Sequence, residues 1–240
     1  MTPDNPAPLQ FLADGRVCLP SNADPAAANS VVYGWVRHHC GLDLGRNDPS
    51  ALVVVRDECF PEFTGRGFEQ RLGPRRLTVV WQEAVQLYSY TDLADYVARR
   101  LAQIPNWTLA TDASGLGAPF VSVLEQAGIE TWSVVMTAGS NLTRTGKTVH
   151  VAKTLLLENL ATHLENGGLT LAHDLKGKQD LLTEIASFQL TTTSAGNLTL
   201  QGGGKTHHAD RAIACALALL SATALDSGSM PVQQKLVGWR

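Results

Sequence analysis

Along this 240-residue chain, hairpin-like runs of apolar residues give way to an alternation of short apolar runs and segments of helical spacing. Val31 to Leu44 and Ala51 to Arg56 read as strands. Between them, Gly-Arg-Asn-Asp-Pro-Ser reverses the chain, because Asp48-Pro49 favours a turn, so the two strands form a hairpin with Asp43 near its tip. Asp57 to Arg76, rich in Gly, Arg and Pro, reads as an excursion before a third strand, Leu77 to Leu87. Thr91 to Ile104 then takes helical spacing, with Thr91 as cap and Leu93, Tyr96, Val97, Leu101 and Ile104 on one face.

Further along, Trp107 to Thr111 predicts a strand ending at Asp112, Gly115 to Gln126 a helix stopped by Gly128, and Thr131 to Met136 another strand. Ala138 to Thr148 reads as a polar loop, and Val149 to Asn166 as an amphipathic helix ended by Gly167-Gly168. A helix around Asp180 to Phe188, a hairpin turning at Ser194 to Asn197 and a final helix from Thr206 complete the pattern. The sum is an α/β chain with a mixed sheet, its first three strands antiparallel and helices on its faces. Reacting groups in such sheets gather beyond strand ends.

Three aspartates stand where apolar segments meet Gly, Ser or His: Asp43 in GLDLGRNDPSALVVV, Asp112 in WTLATDASGLG and Asp210 in HHADRAIACALALL. One such Asp alone is an ordinary cap or turn residue, and a first-turn Asp210 is favoured by the helix dipole in any case. Gathered in a fold, three carboxylates repel one another, and divalent cations make the cluster favourable. Other motifs carry less. Gly202-Gly203-Gly204-Lys205-Thr206 is not a phosphate-binding Walker loop, since Thr199 stands where its first glycine is required. His38-His39-Cys40 lies on a strand whose neighbours point to opposite faces, and reads as structural.

The stretch Gly41 to Val55, the DASGLGAPFVSVLEQAG run from Asp112, the KTLLLENLATHLENGGLTL block from Lys153, EIASF at Glu184 to Phe188, and His208-Ala209-Asp210 before an Ala-rich helix occur in that order. The order resembles the nuclease domain of phage terminase large subunits, over roughly Trp35 to Leu225. The resemblance implies a ribonuclease-H-like fold and a metal-dependent DNA endonuclease acting in phage or prophage genome packaging. It implies two divalent ions, Mg²⁺ or Mn²⁺, with Asp43 as bridging ligand, Asp112 and Asp210 each on one ion, and His208 and Lys153 in auxiliary roles. Double-stranded DNA is the expected partner, with a separate ATPase motor, a small terminase subunit or a portal as further ones. The last motif often reads His-Asp-Asp in this family, whereas this chain has Ala209 at its centre.

The implied division is an arm or linker over 1–30, the nuclease domain over 31–225 and a tail over 226–240. A net charge of −3 does not mark a nucleic-acid binder, so local charge must serve. Arg144 and Lys147 are the candidate backbone-contacting residues, beside Arg66, Arg71, Arg75 and Arg76. Four scattered cysteines suggest neither zinc nor a disulfide framework, which fits a reduced cytoplasmic setting. The apolar stretch Ala212 to Leu225 falls short of the ~20 residues that cross a bilayer, so no membrane is expected. Two other readings stay open: a degenerate, non-catalytic DNA-binding or assembly protein of the same fold, raised by Ala209, and an actin-like phosphotransferase, raised by Asp43-Leu44-Gly45.

Overall fold

A computed structural model describes residues 9–19, 31–45, 48–64, 70–115, 117–192, 198–201 and 209–225. The elements are, in order, β1 (Gln10–Phe11), β2 (Arg16–Cys18), β3 (Gly34–Asp43), β4 (Ser50–Cys59), β5 (Pro61–Phe63), β6 (Gln70–Leu72), β7 (Arg76–Val85), α1 (Tyr90–Leu101), β8 (Trp107–Asp112), α2 (Gly117–Gln126) and β9 (Trp132–Thr137). There follow β10 (Leu142–Thr145), β11 (Thr148–Ala152), α3 (Lys153–Glu165), β12 (Thr170–Leu171), α4 (Lys178–Ala186), β13 (Gln189–Thr192), β14 (Leu198–Gln201), α5 (Asp210–Leu220) and a π-turn, Ser221–Leu225.

The main sheet has the order β10-β11-β9-β8-β3-β4-β7-β12. The expected antiparallel trio is β3, β4 and β7, and β8, β9 and β11 extend it in parallel from β3. One face packs on α3, α4 and α5 through a core that includes Val53, Val55, Val149, Val151, Leu156, Leu160, Leu181 and most of α5. The other packs on α1 and α2 through Leu42, Leu52, Val54, Val97, Leu109 and Phe120. Burial on both faces explains the near-continuous apolar run of β4, and α5 is buried all along from Ala212 to Leu220.

The structure differs from the sequence expectation at several places. Within the expected arm, β2 pairs with β3 and Val17 is buried. The polar loop and the start of the following helix are instead an antiparallel hairpin, β10 with β11, and α3 begins only at Lys153. Val149 and Val151 are buried while His150 between them is exposed, a period of two that four residues carry too briefly to stand out against a helical block. β4 runs on to Cys59 before the short β5–β6 pair. Ser89, rather than Thr91, caps α1, accepting from the Asp92 amide. The hairpin turn at Ser194 to Asn197, the start of the final helix at Thr206 and the tail 226–240 lie outside the described residues.

Candidate active site

β3 and β8 are neighbours, and their register matches Leu42 with Thr111. Asp43 and Asp112 are the next residues on each strand, so two carboxylates end adjacent parallel strands on the same side. Beyond Asp112 the chain must turn at once into α2. Asp112 Oδ1 accepts the Ser114 amide at 2.8 Å, a local turn that fixes the carboxylate. Gly117 lies against the Asp112 carbonyl, where a Cβ would come within 2.0 Å of that oxygen, so the tight return needs glycine. Ser114 Oγ accepts the Met136 amide at 2.9 Å and ties this turn to β9.

α5 carries the third aspartate. It lies directly over β3 because Gly41 has no side chain: a Cβ there would stand 1.9 Å from the Ala214 carbonyl oxygen and 2.5 Å from the Ala218 nitrogen. Those are backbone atoms and cannot swing aside. Gly41→Ala is therefore expected to lower stability by about 1–3 kcal/mol through overpacking. Thermal unfolding would read this as a lower midpoint; an unchanged midpoint would show that α5 can lift away from β3 freely.

The close approach brings Asp210, first residue of α5, into the field of Asp43. Asp43 is 7% exposed. Burial pushes its carboxyl well above the usual carboxylate range, and the charges of Asp112 and Asp210 push it further, against a smaller opposing effect from Lys153. Asp112 is raised too, chiefly by burial, against hydrogen bonds from Ser114 and the Lys153 charge; its side chain is within hydrogen-bonding reach of Asp43. Lys153 opens α3, whose first turn holds no acid. A cation at a helix N-terminus opposes the macrodipole, and here the two carboxylates offset that cost.

The sequence candidates Asp43, Asp112, Asp210 and Lys153 thus converge at one end of the sheet. Among the described residues, no three His, Cys, Asp or Glu side chains already enclose a cation-sized point. The donor chemistry nonetheless fits a hard divalent ion. Two carboxyls are in reach of each other and a third bears on Asp43, so a cation would relieve burial and repulsion together. His208 lies outside the described residues, as do His207 and Arg66.

Arg144 and Lys147 are not brought to this cluster. They flank the β10–β11 turn, and Lys147 bonds through its carbonyl to the Ser133 amide, where β9 begins, rather than where it ends. Lys147 pairs with Glu130, and the Arg144 guanidinium sits 4.1 Å above the centre of the Trp132 ring. Arg71 pairs with Glu62. Arg75 is structural: it grips Asp57 at 2.8 Å and 2.9 Å and the Ala222 carbonyl at 2.6 Å. His39 is buried as a structural residue, its Nε2 3.4 Å from Asp57 and its Nδ1 3.1 Å from Ser221 Oγ. This Ser, His and Asp line has no access to a substrate, since all three side chains are buried.

Sequence reasoning passed over Ser114 and Glu184 as individual residues. Ser114 was findable from the Asp-x-Ser turn pattern. Glu184 was not, because its partners are 27 and 28 residues away, on α5.

Solved structures of phage large-terminase nucleases are similar to this chain. The large terminase nuclease from the thermophilic phage G20c matches at 16% identity over 90% of this chain and 91% of that one, with a TM-score of 0.50. The same nuclease with bound cobalt matches at 18% identity over 88% and 89%, with a TM-score of 0.51. The large terminase nuclease domain of Thermus phage P74-26 matches at 19% identity over 78% and 80%, with a TM-score of 0.51. The chain has the ribonuclease-H-like fold of phage large-terminase nucleases, as its motif order implied. No protein-family model matches the chain. No curated protein matches it in sequence.

Proposed function

We propose that this chain is a metal-dependent DNA endonuclease of the terminase type, which hydrolyses phosphodiester bonds during phage or prophage genome packaging. The observation that carries the reading is the convergence of Asp43, Asp112 and Asp210, with Lys153, beyond the ends of adjacent strands. The fold it shares with phage terminase nucleases, one of them crystallised with cobalt, supports the same reading.

Asp43, Asp112 and Asp210 would hold two divalent ions, Mg²⁺ or Mn²⁺, with Asp43 common to both. Bound there, the ions would supply an activated water and stabilisation of the departing oxygen. The protein's own part is to fix the donors. β3 and β8 hold two carboxylates rigidly at strand ends, the Ser114 turn orients Asp112, and α5 delivers Asp210 from above. Lys153 would hold its ammonium toward a non-bridging phosphate oxygen, as a point charge on an exposed side chain. His208, two residues before Asp210 in the sequence, would orient a ligand or assist proton transfer.

Double-stranded DNA would be the substrate. An ATPase motor, a small terminase subunit and a portal would be the further partners. The test is incubation with supercoiled and linear duplex DNA in Mn²⁺, Mg²⁺ or chelator. Nicking and linearisation that need the metal are expected. Metal binding with DNA retention but no cutting under any ion would favour the non-catalytic DNA-binding reading instead, and Ala209 would then be its natural cause.

Arg144 and Lys147 would contact the DNA backbone away from the reacting phosphate. Reversing both charges to Glu is expected to weaken DNA binding and flatten its salt dependence by about two phosphate contacts, with turnover of the bound complex unchanged. Affinity and salt slope equal to wild type would remove them from the interface.

A further inference from the structure

Asp210 is only as well placed as the first turn of α5, and that turn has no cap of its own. Its N-cap position is Ala209, which offers no side-chain acceptor. Helix starts leave amides unsatisfied, and a buried start without partners is costly. Here the partner comes from another helix. Glu184, on α4 and 8% exposed, accepts the Arg211 amide at 2.8 Å and the Ala212 amide at 3.1 Å through Oε2. These are the two positions that an N-cap side chain ordinarily serves. Its other oxygen, Oε1, takes the Arg211 guanidinium at 2.7 Å.

We propose that Glu184 is a positioning residue for the metal site, a cap lent by α4 that fixes the start of α5 and, through it, the Asp210 carboxylate. The proposal rests on the nuclease reading for its consequence, though the geometry stands without it. Both contacts of Oε2 go to backbone amides of the first turn of α5, and Arg211 neutralises Glu184, so the cap is supplied without adding net charge at the helix start. Charge-assisted bonds of this kind are short and directional, so they suit the task of holding a donor still.

The experiment compares Glu184→Ala and Glu184→Gln with wild type. Mn²⁺ affinity of the folded proteins is measured by calorimetry, cleavage is followed against Mn²⁺ concentration, and the metal-free variants are crystallised. In E184A, Mn²⁺ affinity is expected to fall by about 10–100-fold, the usual effect of losing a residue that orients a ligand. Cleavage should return as Mn²⁺ is raised. E184Q keeps an acceptor for the amides and should recover most of the affinity; if E184A does not fold, Glu184→Asp serves as the test, since its shorter side chain withdraws the carboxylate from the amides while keeping its charge, and Mn²⁺ affinity should fall there too. In the metal-free crystals Asp210 should move away from Asp43 in E184A. A merely structural role would lower the unfolding temperature and leave Mn²⁺ affinity and the position of Asp210 as in wild type, and that result overturns the proposal. Should wild type itself neither bind Mn²⁺ nor cut DNA, the nuclease reading falls, while the crystal comparison still decides whether Glu184 places Asp210.

Discussion

Asp43→Asn is expected to abolish metal-dependent cleavage and, in the absence of metal, to make the protein more stable than wild type. Asn preserves the size of the side chain and removes its charge. Loss of a single neutral oxyanion donor costs an enzyme about 10²–10³-fold in rate, and the ligand common to two ions should cost at least as much. Stability moves the other way because burial first, and then the charges of Asp112 and Asp210, hold the Asp43 carboxyl well above the ordinary range. A carboxyl raised in this way binds its proton more tightly folded than unfolded. Its favourable contribution is present at acid pH and is lost as pH rises from the ordinary carboxylate range through the folded value. D43N escapes that penalty. In chelator at neutral pH its unfolding midpoint should lie above wild type, and the gap should close on acidification. Added Mn²⁺ should reverse the order, since only a site that binds the ion gains from it. Cleavage by D43N at the wild-type rate would end the assignment.

Asp57→Asn is expected to destabilise the fold by about 3–5 kcal/mol, because removing one partner of a buried ion cluster strands the others. Asp57 has no exposed side-chain surface, and it faces His39, Arg37 and Arg75. Burial by itself would raise its carboxyl, yet hydrogen bonds from His39 and Arg75, with the Arg75 charge, hold it well below the usual range. Arg75 also holds the Ala222 carbonyl, so the cluster fastens the π-turn after α5 to β4. For a chain of this size the loss corresponds to a fall of about 10 °C or more in unfolding temperature. A depressed carboxyl stabilises the fold above its unfolded value and loses that contribution as pH falls through its folded one. Wild type and D57N should therefore converge in strong acid. Asp57 lies on β4 opposite Arg37, far along the strands from Asp43, so Mn²⁺ affinity of folded D57N should match wild type. A midpoint within about 2 °C of wild type would show the cluster contributes little net stability.

What the sequence settled by itself was local. The hairpin of β3 and β4, the third strand, α1, α2, α4 and β8 follow from period, turn chemistry and caps, and each is found where those predict within a few residues. The three aspartates were also marked locally, as acids at the ends of apolar runs. The β10–β11 hairpin escaped because its alternation is four residues long, and with it the fact that Lys153 begins a helix rather than riding within one. That shift is what places an exposed lysine at a helix start beside two carboxylates. The rest belongs to tertiary structure. No local pattern says that Gly41 admits α5 to the surface of β3, that Glu184 caps a helix 27 residues away, or that Asp57, His39 and Arg75 share one buried cluster. Those are pairings between elements, decided by which surfaces meet when both faces of the sheet are buried, and a chain read residue by residue contains no measure of that distance.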